Sequence, residues 1–328
     1  MILYQSKCPG CGGNLPENGE SLDRHSIYKL FSCATCDLWF WEPRELDRKL
    51  YEDGVKGSFG LVMPGHINVK TLYMWHDNFF GTFPGRKGDL LDIGCGNGSF
   101  IDECRKKGFK VWGVDLDRVS VDNAKNLGLE NVYLMTLEEF SDFAGKSGLK
   151  FDVITFFEVL EHQENAKKFM QCVKMILKPG GYIVGSVPNR DRLIIRAREE
   201  FDYPPHHFTW WSRKSLLNLL RSQGLESIEI SSSFRINYLI AYLNSQILGW
   251  GNNAKLSRFI KSRFFRLEDK ESSATFDSLI SSGKIGVFGR ILLLVKNAVL
   301  FFPTLLLSSK LEPHLYFQCR MENPAKPN

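Results

Sequence analysis

The hydrophobic and polar positions from residue 89 onward repeat regularly, with short apolar runs followed by amphipathic stretches. Short apolar runs predict buried strands, and the apolar spacing of the stretches between them predicts helices. The predicted strands are 89–93, 110–114, 131–134, 151–156, 181–187, 227–231 and 315–320, and the predicted helices are 98–107, 118–127, 164–177 and 212–224. Because strands that alternate with helices form parallel sheets, the pattern predicts an α/β fold.

The regions on either side of this repeat differ from it. Residues 43–88 are predicted to be a connecting region, with helical character around 64–80. Residues 234–312 separate the last two predicted strands, and this insertion is too long to be an ordinary loop. The predicted core therefore spans residues 89–233, and residues 313–328 supply the last strand and a tail.

The insertion before the last strand is both basic and hydrophobic. Residues 234–328 carry 13 Lys and Arg against 6 Asp and Glu, although the whole chain has a net charge of only +5. Arg290 and Lys296 interrupt its most apolar stretch, 285–307, whereas a membrane-spanning helix needs about 20 consecutive apolar residues. Basic charge mixed with apolar residues instead predicts a helical element that meets a membrane surface or a partner.

Four cysteines near the amino terminus form two CxxC pairs, Cys8 with Cys11 and Cys33 with Cys36. Two such knuckles can supply the four thiolate ligands of a closed tetrahedral zinc site. The alternatives are coincidental pairs or redox dithiols, but a redox CxxC is expected in a thioredoxin-like βαβ context that this polar segment lacks. We therefore predict that residues 1–42 form a zinc ribbon, a separate module remote from catalysis, whose folding depends on the metal.

The composition of the 328 residues limits the class of protein. Hydrophobic residues make up 43% of the chain and charged residues 24%, which excludes a disordered, collagen-like or coiled-coil protein. Eight cysteines are too few for a disulfide scaffold, and the first residues lack the basic and apolar regions of a signal peptide. We therefore expect a cytoplasmic protein, with peripheral membrane contact through the insertion.

A glycine-rich turn, Gly94-Cys95-Gly96-Asn97-Gly98, follows the strand predicted at 89–93 and opens a helix. Glycines let a ligand approach the backbone closely. A nicotinamide fingerprint requires GxGxxG, whereas here the third glycine comes one position early and Ser99 stands in its place. Asp92 lies near the end of the first strand, and Asp115 ends the next one, where a carboxylate can bind ribose hydroxyls.

An acidic residue followed by GxGxG resembles the signature of the class I S-adenosylmethionine-dependent methyltransferases, and the resemblance covers residues 89–232 and 315–320. It implies a Rossmann-like sheet that binds adenosylmethionine, with Asp92 orienting the loop and Asp115 holding the ribose. The implied cofactor-binding residues are Asp92, Gly94, Cys95, Gly96, Gly98, Asp115, Leu116 and Phe157. By residue type alone, Cys95 is more typical of a small core residue. The third strand of the family usually ends in an acidic residue near the adenine, where Thr136 or Leu137 stands here.

Two carboxylates and an imidazole, Glu158, Glu161 and His162, follow the strand predicted at 151–156. If the chain turns helical after Glu158, the three side chains share one face. They would then form a site for magnesium or manganese, although an exposed helix start with one incidental histidine has the same pattern.

A second pair of candidate residues, His206 and His207, follows the strand predicted at 181–187. The carboxyl ends of parallel strands meet at one sheet edge, where ligands bind. We therefore expect one of these histidines to join Glu158 and its neighbours as a further catalytic residue or metal ligand. The alternative is a pair of turn residues packed against Trp210 and Trp211.

The turn Glu158-Val159-Leu160-Glu161-His162 resembles the ExxEH turn of ubiquinone-biosynthesis O-methyltransferases, and a later histidine resembles the small-RNA 2′-O-methyltransferases. Bacterial methyltransferases of polysaccharide and natural-product loci look similar too, and many carry an amino-terminal zinc ribbon. These resemblances imply O-methylation of a small-molecule, sugar or lipid-linked acceptor, with His162 as the base if no metal is bound.

Three other functions are alternatives to this one: RNA 2′-O-methylation, C-methylation of a nucleotide sugar, and binding without catalysis. Residues 254–268 interleave basic with bulky apolar residues, which is more typical of a membrane surface element than of a nucleic-acid reader. The intact glycines and the intact Asp115 argue against a module that has lost catalysis. The sequence therefore favours an enzyme whose acceptor is not RNA.

Overall fold

The structure is a computed structural model, and it describes residues 7–14, 20–21, 27–45, 74–192, 202–232 and 314–323. The chain divides into two compact units, Met1–Ser233 with Glu312–Asn328, and Phe234–Leu311. The predicted insertion at 234–312 lies outside the described residues, as do residues 46–73 of the predicted connecting region. None of the helices in the described ranges has both the length and the apolar character that a membrane crossing requires.

Strands and helices alternate along most of the described chain. The strands are β1 (Glu20–Ser21), β2 (Lys29–Ser32), β3 (Trp39–Glu42), β4 (Asp89–Ile93), β5 (Lys110–Asp115), β6 (Val132–Leu134), β7 (Phe151–Phe157), β8 (Leu177–Pro188), β9 (Thr209–Trp210), β10 (Leu225–Ser232) and β11 (His314–Met321). The helices are α1 (Met74–Thr82), α2 (Ser99–Lys106), α3 (Arg118–Asn126), α4 (Leu137–Ser147), α5 (Ala166–Ile176) and α6 (Arg213–Ser222), and Leu160–His162 forms a short 3-10 turn.

The central sheet has seven strands in the order β10-β11-β8-β7-β4-β5-β6. The five strands β4 to β8 are parallel to one another, whereas β11 is antiparallel to both β8 and β10. This sheet confirms the predicted α/β, Rossmann-like fold. Because His314 lies opposite Pro188, the start of β11 lies at the same sheet edge as the carboxyl ends of the parallel strands.

Side-chain caps fix where several of the helices begin. The Asp117 carboxylate accepts hydrogen bonds from the backbone N–H groups of Val119 and Ser120, which starts α3. Thr136 and Glu139 form a capping box at the start of α4, a helix that the sequence analysis did not predict. Thr136, considered above for the adenine position, therefore caps a helix.

The amino-terminal cysteine segment shares a sheet and a core with the central fold. β1, β2 and β3 form an antiparallel sheet that β9 extends, and β9 belongs to the segment that follows His206 and His207. Cys8, Cys33 and Cys36 are buried in one hydrophobic cluster with residues of the central sheet. The cysteine segment thus differs from the separate, remote module that we expected.

Candidate active site

The loop between β4 and α2 contains three glycines in the left-handed backbone region. Gly94, Gly96 and Gly98 have φ angles of 74°, 52° and 78°, which glycine adopts without the penalty of a Cβ. A Cβ on Gly98 would lie 2.8 Å from the Cβ of Ala124, so this glycine allows the loop to pack on α3. A Cβ on Gly96 would meet no described atom within 4 Å. The backbone at Gly96 therefore borders space that a ligand can fill.

Asp115, at the end of β5, closes this loop. Its Oδ2 accepts a hydrogen bond from the backbone N–H of Gly96 at 2.7 Å, and its Oδ1 accepts one from the backbone N–H of Asp117 at 2.9 Å. Burial raises the pKa of the Asp115 carboxyl. The Asp115 carboxylate, which was predicted to bind a ribose, is therefore hydrogen-bonded to the loop backbone at Gly96, where an added Cβ would meet no described atom.

Asp92, on β4, makes its hydrogen bond across the sheet. The hydroxyl of Thr155 on β7 donates to Asp92 Oδ1 at 2.6 Å, and both side chains are buried. Burial raises the pKa of Asp92 to about 8. Within the described residues no hydrogen bond joins Asp92 to the glycine loop, which it was predicted to orient; it ties β4 to β7 instead.

The remaining residues of the predicted cofactor set lie around this loop. Cys95 and Phe157 are buried in one hydrophobic cluster, and a Cβ on Gly113 would lie 2.7 Å from the Cys95 sulfur. Cys95 thus packs as a small core residue, as its residue type indicates. Phe157 packs against the His76 ring of α1 at a centroid distance of 5.1 Å, and Leu116 is half-buried directly after Asp115.

The turn after β7 lies against the glycine loop. A Cβ on Gly94 would come within 2.6 Å of Val159 Cγ2, so the turn and the loop are in contact. Glu158 has a left-handed φ of 55°, and the 3-10 turn begins two residues later. The predicted helical face shared by Glu158, Glu161 and His162 is therefore wrong, because the chain between them is not a continuous helix.

Three side chains converge at this turn: Glu161, His162 and His207, whose ligand atoms all lie within 4.8 Å of one another. Glu161 is 1% exposed, and neither of its carboxylate oxygens has a hydrogen-bond partner within the described residues. Its Oε1 lies 3.9 Å from His162 Nε2. Burial, and next the charge on Glu158, raise the pKa of Glu161 well above its usual range.

Both imidazoles of this cluster have partners on their Nδ1 side. His162 Nδ1 lies 2.8 Å from the carbonyl oxygen of His206, and because a carbonyl oxygen can only accept, the proton of this bond lies on Nδ1. Burial lowers the pKa of His162 to about 3, so its ring is neutral. His207 Nδ1 lies 3.6 Å from Asp202 Oδ1. Of the two candidate histidines, His207 contributes its ring to the cluster, whereas His206 contributes a backbone carbonyl to its support.

Glu158 belongs to a second group of side chains at the same edge. The hydroxyl of Ser186 on β8 donates to Glu158 Oε1 at 2.7 Å, and His314 Nδ1 lies 2.9 Å from Glu158 Oε2. Burial acts to raise the pKa of Glu158, but the nearby His314 and Ser186 outweigh it, and the pKa lies below its usual range. Glu158 is thus paired with His314 rather than grouped with Glu161.

Several known proteins are similar to this chain in fold or in sequence. A solved adenosylmethionine-dependent methyltransferase from Archaeoglobus fulgidus aligns at a TM-score of 0.44 and 18% identity, over 74% of this chain and 90% of that one. The ubiquinone biosynthesis O-methyltransferase of Leptothrix cholodnii is 24% identical over 230 residues, 62% of this chain and 90% of that protein. The ubiquinone biosynthesis O-methyltransferase of Coxiella burnetii is 27% identical over 177 residues, which are 47% of this chain and 76% of that protein. Residues 73–230 match a family profile described as a methyltransferase domain. Residues 73–230 therefore form an adenosylmethionine-dependent methyltransferase domain.

Four side chains of this methyltransferase that the sequence analysis did not single out contribute to the site. They are Thr155, Ser186, Asp202 and His314. Ser186 and His314 come from strands that the pattern predicted, but nothing in the local sequence indicates that they meet Glu158. Asp202 lies four residues before the candidate residue His206, so its acidic residue type was the available signal.

The four amino-terminal cysteines also lie together in the methyltransferase. Their sulfur atoms are all within 4.8 Å of one another, with Cys8 Sγ 3.5 Å from Cys36 Sγ and Cys11 Sγ 3.6 Å from Cys33 Sγ. In a tetrahedral site with zinc–sulfur distances of about 2.3 Å, neighbouring sulfurs are about 3.8 Å apart. The donor set and its spacing therefore fit zinc.

Proposed function

We propose that this methyltransferase transfers a methyl group from adenosylmethionine to a hydroxyl oxygen of a small-molecule, sugar or lipid-linked acceptor, with a divalent cation held by Glu161, His162 and His207. One observation carries the proposal, namely the convergence of these three side chains within 4.8 Å at the turn that touches the glycine loop. The two relatives named above support an oxygen acceptor, because both are named O-methyltransferases.

The Glu161 carboxylate is the strongest sign of a cation. A buried carboxylate without hydrogen-bond partners is costly, and a cation between it and the imidazoles removes that cost. Glu161 is 1% exposed and makes no hydrogen bond within the described residues. The protein therefore stabilises this arrangement best when a positive charge lies beside Glu161.

The two imidazoles complete a donor set of two nitrogens and one carboxylate. A metal-binding histidine commonly donates its other N–H to a carbonyl or carboxylate, as His162 does to His206 and as Asp202 is placed to accept from His207. Imidazole is a ligand of transition metals such as iron and zinc, whereas magnesium prefers oxygen ligands. Of the two ions that the sequence suggested, the donor set favours manganese.

The residues of the glycine loop would hold the methyl donor. The open backbone at Gly96 admits it, and the Asp115 carboxylate would bind its ribose hydroxyls. The sulfonium donor supplies the methyl group, and a bound cation lowers the pKa of an acceptor hydroxyl. The protein itself aligns the two reactants, which is the main requirement of a direct displacement.

The proposal is tested with methyl-labelled adenosylmethionine and extract fractions that contain lipids, nucleotide sugars, other small molecules or RNA. We expect label in a lipid or small-molecule fraction, loss of that transfer after weakly bound metal is stripped, and recovery with manganese. Full turnover in the stripped enzyme would reject the metal. Label confined to RNA would reject the acceptor class.

Substitutions separate the metal ligands from the rest of the surface. Glu161→Gln and His207→Ala are expected to lower turnover by about 100-fold or more while adenosylmethionine affinity hardly changes. Glu130→Gln, which changes an exposed carboxylate, is the matched control and should match the wild-type enzyme. Wild-type turnover in Glu161→Gln would contradict the role of this carboxylate.

We also propose that Cys8, Cys11, Cys33 and Cys36 hold one structural zinc ion. Support comes from the spacing of the sulfurs given above and from the closed, four-thiolate set typical of structural zinc. Elemental analysis of protein purified without chelator under reducing conditions should return one zinc per chain. A preparation that folds normally and contains no zinc would overturn this assignment.

A further inference from the structure

Glu158 and His314 form a hydrogen-bonded pair. This pair belongs neither to the proposed cation site of Glu161, His162 and His207 nor to the glycine loop at 94–98. His314 Nδ1 lies 2.9 Å from Glu158 Oε2, and Ser186 occupies the other carboxylate oxygen at 2.7 Å. The His314 ring also packs against Trp75 of α1 at a centroid distance of 5.1 Å. Three contacts from three different elements thus fix one carboxylate and one imidazole.

The pair leaves one atom available for chemistry. Because Glu158 can only accept, the proton of the neutral His314 ring lies on Nδ1, and Nε2 carries the lone pair. Within the described residues His314 Nε2 makes no hydrogen bond. The side chains of His314 and Glu158 are 23% and 20% exposed, so a second molecule can reach the imidazole.

The Glu158–His314 pair lies at the ligand-binding edge of the central sheet. Glu158 directly follows β7, Ser186 lies near the carboxyl end of β8, and His314 begins the antiparallel β11, so all three lie at one sheet edge. Val159, the residue after Glu158, touches Gly94 of the glycine loop. Ligands of open α/β sheets bind at this edge.

The backbone at Glu158 is also unusual. Its φ of 55° is a left-handed conformation that residues other than glycine seldom adopt. Such conformations concentrate at functional sites, where the surrounding structure enforces them. The backbone N–H of Glu158 donates to the Ser186 carbonyl at 3.0 Å, which holds the residue in place.

We propose that Glu158 and His314 form the general-base dyad of methyl transfer, in which His314 Nε2 takes the proton of the acceptor hydroxyl. This inference rests on the O-methylation proposed above. The acceptor oxygen forms a bond to the methyl carbon as the carbon–sulfur bond of adenosylmethionine breaks, and the bonding pair leaves with the sulfur as adenosylhomocysteine. The hydroxyl proton passes to His314, whose positive ring Glu158 stabilises, and then to water.

A purely structural role for the pair makes a different prediction from a catalytic one. In His314→Gln the side-chain amide still donates to Glu158, but no nitrogen remains that can accept a proton. General bases contribute about 100- to 10,000-fold to rate. We therefore expect kcat to fall by at least about 100-fold, with adenosylmethionine affinity and manganese affinity unchanged.

The control is Tyr316→Phe, which removes a hydroxyl two residues along the same strand and should leave kcat unchanged. Glu158→Asp, which keeps a carboxylate for His314, should retain more activity than Glu158→Gln. The activity is measured on whichever extract fraction the wild-type enzyme labels. A kcat for His314→Gln within threefold of wild type would overturn the dyad.

A measurement on the wild-type protein tests the dyad independently of folding defects in variants and of the acceptor. Nitrogen-15 NMR of histidine-labelled protein at pH 8 should show His314, assigned with His314→Gln or by through-bond correlation, protonated on Nδ1 and bare on Nε2. The opposite tautomer would overturn the dyad. If no fraction is labelled by the wild-type enzyme, the proposed O-methylation fails, whereas the tautomer still reports on the pair.

Discussion

The three glycines of the glycine loop, Gly94, Gly96 and Gly98, occupy similar backbone conformations for different physical reasons. A side chain on Gly94 or Gly98 would collide with Val159 or with Ala124 of α3. A side chain on Gly96 would collide with no described atom and would project into open space. Substitution at Gly96 therefore separates ligand binding from packing in a way that the other two positions cannot.

Gly96→Leu should abolish adenosylmethionine binding without unfolding the protein. Backbone strain in the left-handed region costs about 1–2 kcal/mol, and a leucine side chain would also fill the space that the methyl donor needs. We expect affinity to fall by at least about 100-fold in calorimetry, which corresponds to about 2.7 kcal/mol. Gly148→Leu carries the same kind of strain at φ 67° in open space after α4 and is the control. Equal affinities in the two variants would contradict the assignment of the loop.

Asp92 makes the stability of the protein depend on pH. Its pKa is about 8 when folded and about 3.9 in an unfolded chain. The folded state binds this proton more tightly than the unfolded state does. The contribution of the proton to the free energy of unfolding is therefore fully present below about pH 4 and is lost as pH rises toward 8. Asp92→Asn keeps an acceptor for Thr155 without the charge. Between pH 5 and 8 its free energy of unfolding should therefore fall by about 1–3 kcal/mol less than that of the wild-type protein. Urea unfolding of this variant and of Asp122→Asn, on the surface of α3, measures the difference, and parallel pH profiles would refute it.

Local patterns predicted residues whose partners are near in sequence and missed those whose partners are distant. The glycine loop and Asp115 follow from one strand–turn–helix unit and its neighbour, so their residue types and spacing are enough. The Glu158–His314 contact joins positions 156 residues apart, and no periodicity in either strand encodes it. The left-handed Glu158 also displaced Glu161 and His162 from the helical face that regular spacing predicted.

At the scale of elements, β9 and the residue before it connect the amino-terminal cysteine ribbon to the cluster of Glu161, His162 and His207. The Trp41 backbone N–H of β3 donates to the Phe208 carbonyl, and the Phe208 N–H donates to the Glu161 carbonyl, each at 2.9 Å. Phe208 is the residue after His207 and is fully buried. The ribbon therefore holds the segment that positions two of the three candidate metal ligands.

Loss of ribbon zinc should weaken the second metal site. Cys36→Ser is expected to lower the melting temperature and to reduce manganese affinity by about 10-fold or more, as loss of supporting contacts around a metal does. Manganese binding is followed by electron paramagnetic resonance. Cys172→Ser on α5, a buried cysteine outside the ribbon, is the control. Unchanged manganese affinity in zinc-depleted Cys36→Ser would show that the ribbon does not support the cluster.

The strands of the central sheet and most of its helices were predicted, whereas α4 and the short strands β1, β2, β3 and β9 were not. All seven strands of the central sheet were anticipated, with ends displaced by up to four residues. The helix α4 was missed although Thr136 and Glu139 form a recognisable capping box ahead of apolar positions at helical spacing. The strands β1, β2, β3 and β9 are two to four residues long, and they depend on pairing with one another rather than on a pattern of their own.

At the scale of the whole molecule, the topology brings the chemistry together. Strand ends from β4, β5, β7 and β8 and the start of the antiparallel β11 meet at one edge. Residues from Gly94 to His314 thereby reach one site, although the segment 234–312 separates β10 from β11. A strand order of this kind arises from the packing of the complete sheet, so the sequence predicted the class of fold more readily than the contacts at its edge.

The segment 234–312 is expected to bind anionic membranes. It carries most of the 13 basic residues found from 234 onward, together with the apolar stretch 285–307, and each Lys or Arg near an anionic surface contributes about 1 kcal/mol that falls with salt. The full-length protein should therefore float with phosphatidylglycerol vesicles at low salt and much less at about 0.5 M salt, where the Debye length is below about 8 Å. A variant with Arg258, Lys261 and Arg263 changed to Gln should float less, whereas Lys106→Gln on α2 should not differ from wild type. If the segment instead buries its apolar face within its own unit, the soluble fraction will be equal with and without lipid, and the membrane prediction fails.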